Sequence, residues 1–362
     1  MRAAVLVTLG SDLEIETLDP IAPGPRDVVV EVGASGICHT DLSVRNGLFA
    51  GMVSGAMIGG HEGAGRVIEV GNQVTRVKPG DRVIASFRPA CGVCHSCVRD
   101  RSHLCDAHGA FLMTPRARRS DGSTAIAMSG IGTFSDLITC DEASVVRVET
   151  DLPDAHLALL GCGMTTGVGA ALYTAGVEAG ATTAVVGCGG VGQSVIQGAV
   201  VAGATRIIAV DPVESKREAA LRLGATDAVD PADGPPEEQV KALTGGRGVD
   251  YAFDVVGAPE VVLSTYRMIG KGGMLVLVGY GPMQSELRLP AFDLQAQEKT
   301  VKGCVAGSAQ VRRDFQRFVD LIEAGRLDSG SLVTQEIGLD GVNAAMADMV
   351  EGKVIRSVIT SF

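Results

Sequence analysis

The sequence lacks long apolar runs, and none approaches the ~20 residues that a membrane-spanning helix requires. Its opening residues, Met1 to Val7, carry one early charge and a short apolar stretch. They have neither the length of a signal-peptide core nor a small-residue cleavage site after it. We therefore expect no membrane partner, a first strand at the amino terminus and a cytoplasmic location.

Positive charge is also scarce, with 31 lysines and arginines against 42 aspartates and glutamates and a net charge of −11. Nucleic-acid partners require clustered basic side chains, and the one basic cluster, Arg116, Arg118 and Arg119, is short. This balance excludes a nucleic-acid partner. We interpret the cluster as a solvated loop.

The chain is rich in glycine and cysteine. Its 362 residues suffice for two domains, and its 48 glycines favour tight turns and close backbone approaches over a helical bundle. Nine cysteines would indicate disulfides in a secreted protein. In a cytosolic enzyme they indicate metal binding or catalysis.

The hydrophobic pattern changes along the chain. Up to about residue 160, short β-like runs are separated by glycine and proline, which indicates a β-rich domain. These runs lie at 28–32, 65–70, 81–85 and 144–148. From about residue 180, apolar strands alternate with helices, which predicts a parallel sheet covered on both faces. After about residue 305 we expect short strands and one amphipathic helix, with Phe315, Phe318, Val319 and Ile322 on its apolar face.

A glycine-rich loop follows the first strand of the alternating region and opens the next helix: Gly187-Cys188-Gly189-Gly190-Val191-Gly192. In this context the glycines allow a tight turn and close approach to a pyrophosphate at the helix N-terminus. Asp211 lies 19 residues after Gly192, at the end of the next strand. Its carboxylate can bind both adenosine ribose hydroxyls and would repel a 2′-phosphate, so we expect NAD rather than NADP. The same residue can also cap a helix.

Four cysteines lie within fifteen residues: Cys91, Cys94, Cys97 and Cys105. Thiolates at this spacing can surround zinc as a tetrahedron and leave no position for water, which predicts a structural zinc. Disulfides are one alternative, disfavoured by the expected compartment, and a [4Fe–4S] cluster is another, although the Cys-Pro ending of one ferredoxin run is missing. His95 and His103 lie in the same stretch, and we interpret both as surface residues.

A second set of candidate ligands is dispersed along the chain. Cys38 precedes His39-Thr40-Asp41, His61 lies in Gly-Gly-His-Glu-Gly, and Cys162 stands between two glycines. Each alone would usually be a small buried residue or a satisfied polar group. Together they offer two thiolates and one imidazole, which is the ligand set of a zinc site with one open position.

These features together resemble the zinc-containing alcohol dehydrogenases of the medium-chain dehydrogenase/reductase superfamily. The matching motifs are GHE-x-x-G at 60–65, the four-cysteine lobe, Gly161-Cys162-Gly163 and the glycine-rich loop, and matching features run from Cys38 to Arg356. The resemblance implies an α/β protein with two domains. One is a β-rich GroES-like catalytic domain at 1–163 and 306–362, with the zinc lobe at about 88–125. The other is a Rossmann NAD-binding domain with a doubly wound parallel sheet at 164–305.

The resemblance also implies roles for single residues. Cys38, His61 and Cys162 would hold a catalytic zinc, and Glu62 would be a carboxylate able to approach the metal. Asp41 would fix the tautomer of the zinc-bound histidine, and Thr40 would take the alcohol proton. Further cofactor contacts would be Thr166 and Val191 behind the nicotinamide, Val278, Lys216 at a ribose and Arg356 at the pyrophosphate. The substrate pocket would include Phe49, Phe87 and Met128.

Two positions depart from the family pattern. His39 stands where some members carry arginine, so it would contact the pyrophosphate less firmly and could titrate near neutral pH. Ser43 stands where many members have the last histidine of the proton relay, and a serine passes a proton without storing one. We hypothesise that the last proton step runs through water or His39.

These features predict an NAD-dependent zinc alcohol dehydrogenase with two zinc ions per chain, acting on a primary or aromatic alcohol or its aldehyde. Two alternatives stay open. One is a formaldehyde dehydrogenase that uses a glutathione or mycothiol adduct, in which the cluster at 116–119 could bind the thiol's anionic group. The other is a non-catalytic NAD-binding zinc protein. We expect a homodimer or homotetramer, with the strand around 301–306 as a candidate interface.

Overall fold

The computed structural model describes residues 1–47 and 55–362. Its described residues form two structural units, which correspond to the β-rich region and the alternating region of the sequence. Unit 1 comprises Met1–Gly163, Gln310–Gly325 and Ser329–Phe362, and unit 2 comprises Met164–Ala309 and Arg326–Asp328. Unit 1 contains mainly short antiparallel strands, whereas unit 2 alternates parallel strands with helices. This is the α/β fold class that the sequence predicts.

The strands of unit 1 form two sheets. Their bounds are β1 Arg2–Leu6, β2 Glu14–Thr17, β3 Asp19–Pro20, β4 Asp27–Gly36, β5 Ala56–Ile58, β6 Glu62–Val70, β7 Arg82–Ala85, β8 Pro115–Arg118, β9 Thr124–Ala127, β10 Leu137–Asp141, β11 Val145–Arg147, β18 Val333–Gly338 and β19 Arg356–Ser361. One sheet has the order β2-β1-β5-β9-β8-β3, and the other has the order β11-β7-β6-β4-β19-β18, with β10 also paired to β4. Alternating valines of β4 pack with Val67 of β6 and with Val83 and Ile138 in the core of the second sheet.

The helices of unit 1 are short except in the carboxyl-terminal part. They are α1 His39–Arg45, α2 Asp154–Ala158, α9 Val311–Glu323 and α10 Val342–Val350. The expected amphipathic helix is α9, in which Phe315, Phe318 and Val319 are buried. The expectation of one helix in this region was wrong, because α10 also forms. Its alanine-rich sequence has no side-chain cap and gives a weak pattern, yet Val342, Ala345 and Met346 are buried.

The basic cluster is not the solvated loop that we expected. Arg116 lies in strand β8 and is buried, and its guanidinium is 3.0 Å from the Asp27 carboxylate. Arg119 lies just after that strand and binds Glu16 at 2.6 Å. Carboxylates that are distant in sequence thus neutralise two of the three arginines, which no local pattern could reveal.

Unit 2 contains a parallel sheet of the order β14-β13-β12-β15-β16-β17. Its strands are β12 Thr182–Val186, β13 Arg206–Val210, β14 Asp227–Val229, β15 Val249–Asp254, β16 Ile269–Leu277 and β17 Thr300–Gly303. Its helices are α3 Gly163–Gly169, which continues as a π-helix over Ala170–Ala175, α4 Gly190–Ala202, α5 Glu214–Arg222, α6 Pro236–Leu243, α7 Pro259–Met268 and α8 Ala291–Ala296. Val185 faces one hydrophobic cluster, while its neighbours Ala184 and Val186 face another, so both faces of the sheet are covered.

Within the described residues, no single helix is both long and apolar enough to cross a bilayer. The helices Asp154–Gly161 and Gly163–Ala175 meet the length and composition criteria only when they are joined as a bent pair.

Candidate metal centres and dinucleotide site

Strand register brings the first two dispersed ligands together. Strand β4 ends at Gly36 and β6 begins at Glu62, and these two residues pair directly across the antiparallel ladder. Cys38 follows the end of β4 and His61 precedes the start of β6. Both side chains therefore emerge at the same edge of the sheet.

Cys162 reaches this edge through a close backbone approach. It follows a 3₁₀ turn over Leu159–Gly161 that continues helix α2. A Cβ on Gly161 would lie 2.9 Å from the carbonyl oxygen of Ala85 and 3.1 Å from Cα of Glu62. Only glycine lets the turn come this near to β6 and β7, so Gly161 positions the third sulfur.

The four groups at this edge form a compact buried cluster. One ligand atom from each of Cys38, His61, Glu62 and Cys162 lies within 4.8 Å of the others, and all four residues are buried. His61 Nδ1 is 2.8 Å from Asp41 Oδ1, while His61 Nε2 is buried and has no partner among the described residues. Because Asp41 accepts a hydrogen bond from the Nδ1–H group, the proton stays on Nδ1 and the Nε2 lone pair is free for a metal ion.

Asp41 also anchors the loop that carries Cys38. Its second oxygen accepts the backbone N–H of Cys38 at 2.8 Å, which makes Asp41 the third residue of a capping arrangement at the start of α1. One carboxylate thereby fixes both the thiol-bearing loop and the imidazole.

The protonation of the two thiols fits a cation at this site. A hydrogen bond from the Cys162 thiol and the nearby His61 hold the pKa of Cys38 well below its ordinary value. The same pairing, together with burial, raises the pKa of Cys162 well above its ordinary value. Protein groups alone thus favour only one thiolate, and a divalent metal would be needed to ionise both. Two sulfurs and one free imidazole nitrogen suit zinc.

Glu62 is held by an arginine rather than by solvent. Arg356 forms a buried ion pair with Glu62 Oε2, and the backbone N–H of Gly163 donates to Glu62 Oε1 at 3.0 Å. Burial raises the pKa of Glu62 to about 7, although the Arg356 charge acts in the opposite direction. The structure therefore places Arg356 at this cluster, 294 residues from its partner in the sequence.

The proton-relay and pocket candidates in unit 1 have different surroundings. Thr40 Oγ1 is 3.8 Å from Cys38 Sγ, so this hydroxyl lies beside the cluster. His39, in the same helix, is exposed, and Ser43 is half-buried. The Phe87 ring meets His61 edge-on, with 5.7 Å between ring centroids.

Of the two other pocket candidates, only Met128 lies within the described residues, and its apolar neighbours there include no residue of the cluster. Met128 is buried in a small apolar group with Leu6, Val44 and Met57. Phe49 lies outside the described residues, so its predicted place in the substrate pocket stays a prediction.

The four-cysteine cluster has a different character. The sulfurs of Cys91 and Cys97 are 4.0 Å apart, and those of Cys94 and Cys105 are 3.9 Å apart. Zinc–sulfur bonds of about 2.3 Å in a tetrahedron require sulfur separations of ~3.8 Å, so these distances suit a shared ion. All four thiols are free, which excludes the disulfide alternative in this structure.

Backbone N–H groups stabilise charge on these sulfurs. Cys91 Sγ accepts from the N–H groups of Val93 and Cys94, and these bonds lower the pKa of the partly exposed Cys91 to about 6. Burial raises the pKa of Cys97 to about 12. Nδ1 of His103 is buried without a partner among the described residues, although the residue as a whole is partly exposed. His95 is exposed, as expected of a surface residue.

The glycine-rich loop in unit 2 has the geometry that dinucleotide binding requires. Gly187 adopts a φ of +90°, a conformation that favours glycine. A Cβ on Gly192 would overlap the carbonyl oxygen of Gly187, whereas a Cβ on Gly189 would meet nothing within 4 Å. Helix α4 begins at Gly190 with Gly189 as its N-cap, so the open space lies in front of free N–H groups.

Asp211 fixes this loop through both carboxylate oxygens. The backbone N–H of Cys188 donates to Oδ2 at 2.7 Å, and that of Val213 donates to Oδ1 at 2.8 Å. Each oxygen retains a second lone pair with which it can bind ribose hydroxyls. The Asp211 carboxylate is thus positioned beside the glycine-rich loop at the carboxyl edge of the sheet.

The other cofactor candidates lie around this edge of unit 2. A Cβ on Gly167 would lie 2.8 Å from the nitrogen of Val195 and 2.5 Å from Cβ of Ser194, so helix α3, which carries Thr166, packs tightly on α4, which carries Val191. Val278 follows β16 and is buried. The backbone carbonyl of Lys216 accepts a hydrogen bond from Gln193 at 2.9 Å.

Sequence reasoning missed two residues that hold the loop. The Gln193 side chain donates to the carbonyl oxygens of Cys188 and Lys216, and Arg217 donates to the carbonyl oxygen of Asp211 at 2.7 Å. A buried glutamine one residue after the glycine motif is the only local signal for the first. Arg217 gives no local signal, because it stands in a run of charged helix residues.

Known proteins share both parts of this architecture. The family model for the alcohol dehydrogenase GroES-like domain matches residues 24–150, and the model for the zinc-binding dehydrogenase family matches residues 190–324. The NDMA-dependent alcohol dehydrogenase of Amycolatopsis methanolica is 42% identical, with 99% of this chain and 98% of that protein covered. An S-(hydroxymethyl)glutathione dehydrogenase of Paracoccus denitrificans is 35% identical, with 99% of each covered.

A solved structure agrees with these sequence relatives. The crystal structure of benzyl alcohol dehydrogenase from Acinetobacter calcoaceticus superposes with a TM-score of 0.93 at 30% identity, covering 100% of this chain and 99% of that one. Zinc-ligand clusters, the parallel sheet with its glycine-rich loop and full-length similarity thus converge on one conclusion. The chain belongs to the zinc-containing alcohol dehydrogenases of the medium-chain dehydrogenase/reductase superfamily and is an oxidoreductase.

Proposed function

We propose that this alcohol dehydrogenase uses NAD and two zinc ions per chain to interconvert a primary or aromatic alcohol and its aldehyde. The observation that carries the proposal is the buried cluster of Cys38, His61 and Cys162, in which His61 Nε2 has no partner among the described residues. Three protein ligands leave one position of a tetrahedral zinc open for substrate. The four-cysteine cluster offers no such position and would be structural.

The residues around the cluster have separate roles in the proposed reaction. Zinc bound there supplies Lewis acidity that lowers the pKa of an alcohol hydroxyl, and NAD supplies the hydride acceptor. Thr40 takes the alcohol proton, and Asp41 holds His61 in the tautomer that binds metal. Phe87 forms an apolar wall beside the reacting carbon and excludes water.

The outer part of the proton relay is proposed to run through His39 or water. Ser43 is half-buried, whereas His39 is exposed and can reach solvent directly. A pH–rate profile of His39→Gln should lose an ionisation that wild type and Ser43→Ala retain. If neither variant changes the profile, neither residue belongs to the relay.

The preference for NAD is proposed to depend on Asp211. Its carboxylate is fixed by two backbone N–H groups, so it cannot turn away from a 2′-phosphate. Asp211→Ala should lower the NAD/NADP ratio of kcat/KM by about 10- to 100-fold, the worth of charge-assisted hydrogen bonds to one ribose. An unchanged ratio would remove this role from Asp211.

A second candidate substrate is a thiol adduct of formaldehyde. It is favoured by the relative named S-(hydroxymethyl)glutathione dehydrogenase and by the run His39-Thr40-Asp41. Arg116 and Arg119 do not support it, because both already bind carboxylates within the protein. NADH formation from formaldehyde, with and without glutathione or mycothiol, separates the two candidates.

We also propose a homodimer or homotetramer. Strand β17 is the last strand of the unit 2 sheet, so one edge of it has no strand partner within the described chain. Its residues Thr300, Lys302 and Gly303 are exposed, which suits edge-to-edge pairing with a second copy. Sedimentation equilibrium tests the proposal, and a monomer at micromolar concentration would contradict it.

The experiment that tests the main proposal measures zinc content per chain together with NADH formation from benzyl alcohol and ethanol. Two zinc ions with turnover are the expected result. One zinc without turnover would mean that the Cys38, His61 and Cys162 cluster does not hold metal, and would contradict the proposal.

A further inference from the structure

A group of unpaired nitrogen atoms lies close to the dispersed metal cluster, in the same unit. This group, the Arg88 cluster, consists of Arg88, His103 and His108. Arg88 Nε, His103 Nδ1 and His108 Nδ1 are buried and have no hydrogen-bond partner among the described residues. Buried polar atoms are nearly always paired, so three unpaired nitrogens in one neighbourhood point to a ligand that binds them.

One aromatic ring separates the Arg88 cluster from the metal ligands. The guanidinium carbon of Arg88 lies 5.6 Å from the centroid of the Phe87 ring. The same ring has its centroid 5.7 Å from that of His61. A small molecule that extends along Phe87 can therefore contact both Arg88 and the ligand position at His61.

The charge of this region favours an anion. Only Arg88 and Arg101 act electrostatically on the two histidines within the described residues, and no acidic side chain does so. The segment 48–54, outside those residues, contains no aspartate or glutamate. Within the described residues Arg88 forms no ion pair with a carboxylate, although its Nε is buried.

The two histidines can serve as hydrogen-bond donors beside the guanidinium. Burial, followed by the charge of Arg88, lowers the pKa of His108 to about 4, so this ring is neutral near pH 7 and can donate one N–H without taking up a proton. The guanidinium of Arg88 presents a planar fork that matches a carboxylate.

We infer that the Arg88 cluster binds a carboxylate carried by the alcohol substrate, whose hydroxyl reaches the cluster of Cys38, His61 and Cys162. This inference rests on the proposed function and names its substrate class, hydroxymethyl-substituted aromatic acids. Phe87 packs against the aromatic ring, and Arg88 binds the carboxylate at the far end. None of the reacting atoms differs from those in the oxidation of a neutral alcohol.

The test compares an acid with its neutral isostere. We would measure kcat/KM for 4-(hydroxymethyl)benzoate, 4-(hydroxymethyl)benzamide and benzyl alcohol in wild type and in Arg88→Met. The acid/amide ratio should fall by about 10- to 100-fold in Arg88→Met, the usual worth of a charge-assisted hydrogen bond. Arg88→Lys should restore part of the ratio, because it keeps the charge and loses the fork.

Arg99→Met is the matched control. Arg99 is an exposed arginine of the same lobe, and its one side-chain contact within the described residues is with His95 at 3.3 Å. The acid/amide ratio of this variant should equal that of wild type. Zinc content and melting temperature of all variants should match wild type, which separates a lost anion site from a disturbed lobe.

The outcomes are distinguishable. An unchanged acid/amide ratio in Arg88→Met, with turnover of benzyl alcohol retained, would overturn the inference and leave the proposed function intact. If sulfate alters benzyl alcohol turnover only when Arg88 is present and the ratio stays unchanged, the cluster binds a free inorganic anion, which also contradicts a substrate carboxylate.

Isothermal titration calorimetry tests the anion site even if the protein oxidises no alcohol. Binding of 4-(hydroxymethyl)benzoate that weakens about tenfold or more in Arg88→Met would support the anion site while the proposed function fails. Equal binding to both proteins would overturn the inference as well.

Discussion

The two cysteine clusters of unit 1 differ in how the chain assembles them. Cys91, Cys94, Cys97 and Cys105 lie within one short segment of turns, and the sulfurs meet without help from distant strands. The dispersed cluster needs the pairing of β4 with β6 and the close approach of Gly161 before its ligands meet. Local ligands suit a site that stabilises the fold, whereas dispersed ligands suit a site that the fold creates.

The two clusters also differ in how deeply they are buried and in which groups stabilise their ligands. Most of the four-cysteine cluster is partly exposed and is stabilised by backbone N–H groups, whereas the dispersed cluster is fully buried and is stabilised by Asp41 and Arg356. A buried site with an open position strengthens electrostatic interactions with a substrate. Similar cysteine ligands can therefore form a structural site or a catalytic site, depending on how deeply the site is buried and which groups surround it.

The largest expected effect comes from removing a dispersed ligand. Cys162→Ala should lower kcat by about a thousandfold or more, because the Lewis acid is lost, while the melting temperature changes little. Steady-state NADH formation and thermal unfolding measure the two effects. Cys140→Ala is the control, since Cys140 is also buried but lies in the apolar core and belongs to neither ligand cluster, and it should keep full turnover. Equal turnover in both variants would contradict the assignment.

Removing a local ligand should have the opposite profile. Cys97→Ala should lower the melting temperature by about 5–10 °C, because zinc bound to the lobe contributes folding free energy. At a temperature where the protein stays folded, kcat should remain within a few-fold of wild type. Scanning calorimetry and steady-state turnover of one sample measure the two effects. Loss of turnover without any loss of stability would contradict a purely structural role of the four-cysteine cluster.

A smaller effect is expected from the residue that orients the dispersed ligands. Asp41→Asn removes the charge that fixes His61 and the second oxygen that holds the Cys38 N–H. Zinc affinity of that site should weaken by about 10- to 100-fold, with no change at the four-cysteine cluster. Competition with a chelator measures the two affinities separately. Equal weakening of both would show that Asp41 acts on folding in general.

The smallest effect is expected at His95. This histidine is exposed and lies between two cysteines of the lobe, yet its observed contact is with Arg99. His95→Ala should leave zinc content unchanged and alter the free energy of unfolding by no more than about 0.5 kcal/mol. A loss of zinc from this variant would show that the lobe uses an imidazole ligand.

Much of the fold and the four-cysteine cluster could be predicted from the sequence, because both depend on residues that are close together along the chain. The spacing of the four cysteines, the alternation of strands and helices after residue 180 and the glycine-rich loop each express a constraint between near neighbours. The α/β fold class was predicted correctly for this reason. The dispersed ligands were recognised through their order along the chain and their resemblance to a family.

Other features could not be predicted because their partners are distant or their signals weak. The ion pair of Glu62 with Arg356 joins residues 294 positions apart. Arg116 stands in a short basic run that predicts a solvated loop, and its ion pair with the distant Asp27 forms only in the fold. Helix α10 forms because the core buries its apolar face, and tertiary packing overrides its weak local signal.

Zinc content and zinc K-edge X-ray absorption of Cys162→Ala test the central claim most directly. The account predicts one zinc per chain, coordinated by four sulfur atoms, in a folded protein without turnover. A zinc bound by a mixture of sulfur and nitrogen, or the loss of all zinc, would contradict the separation of a local structural site from a dispersed catalytic one.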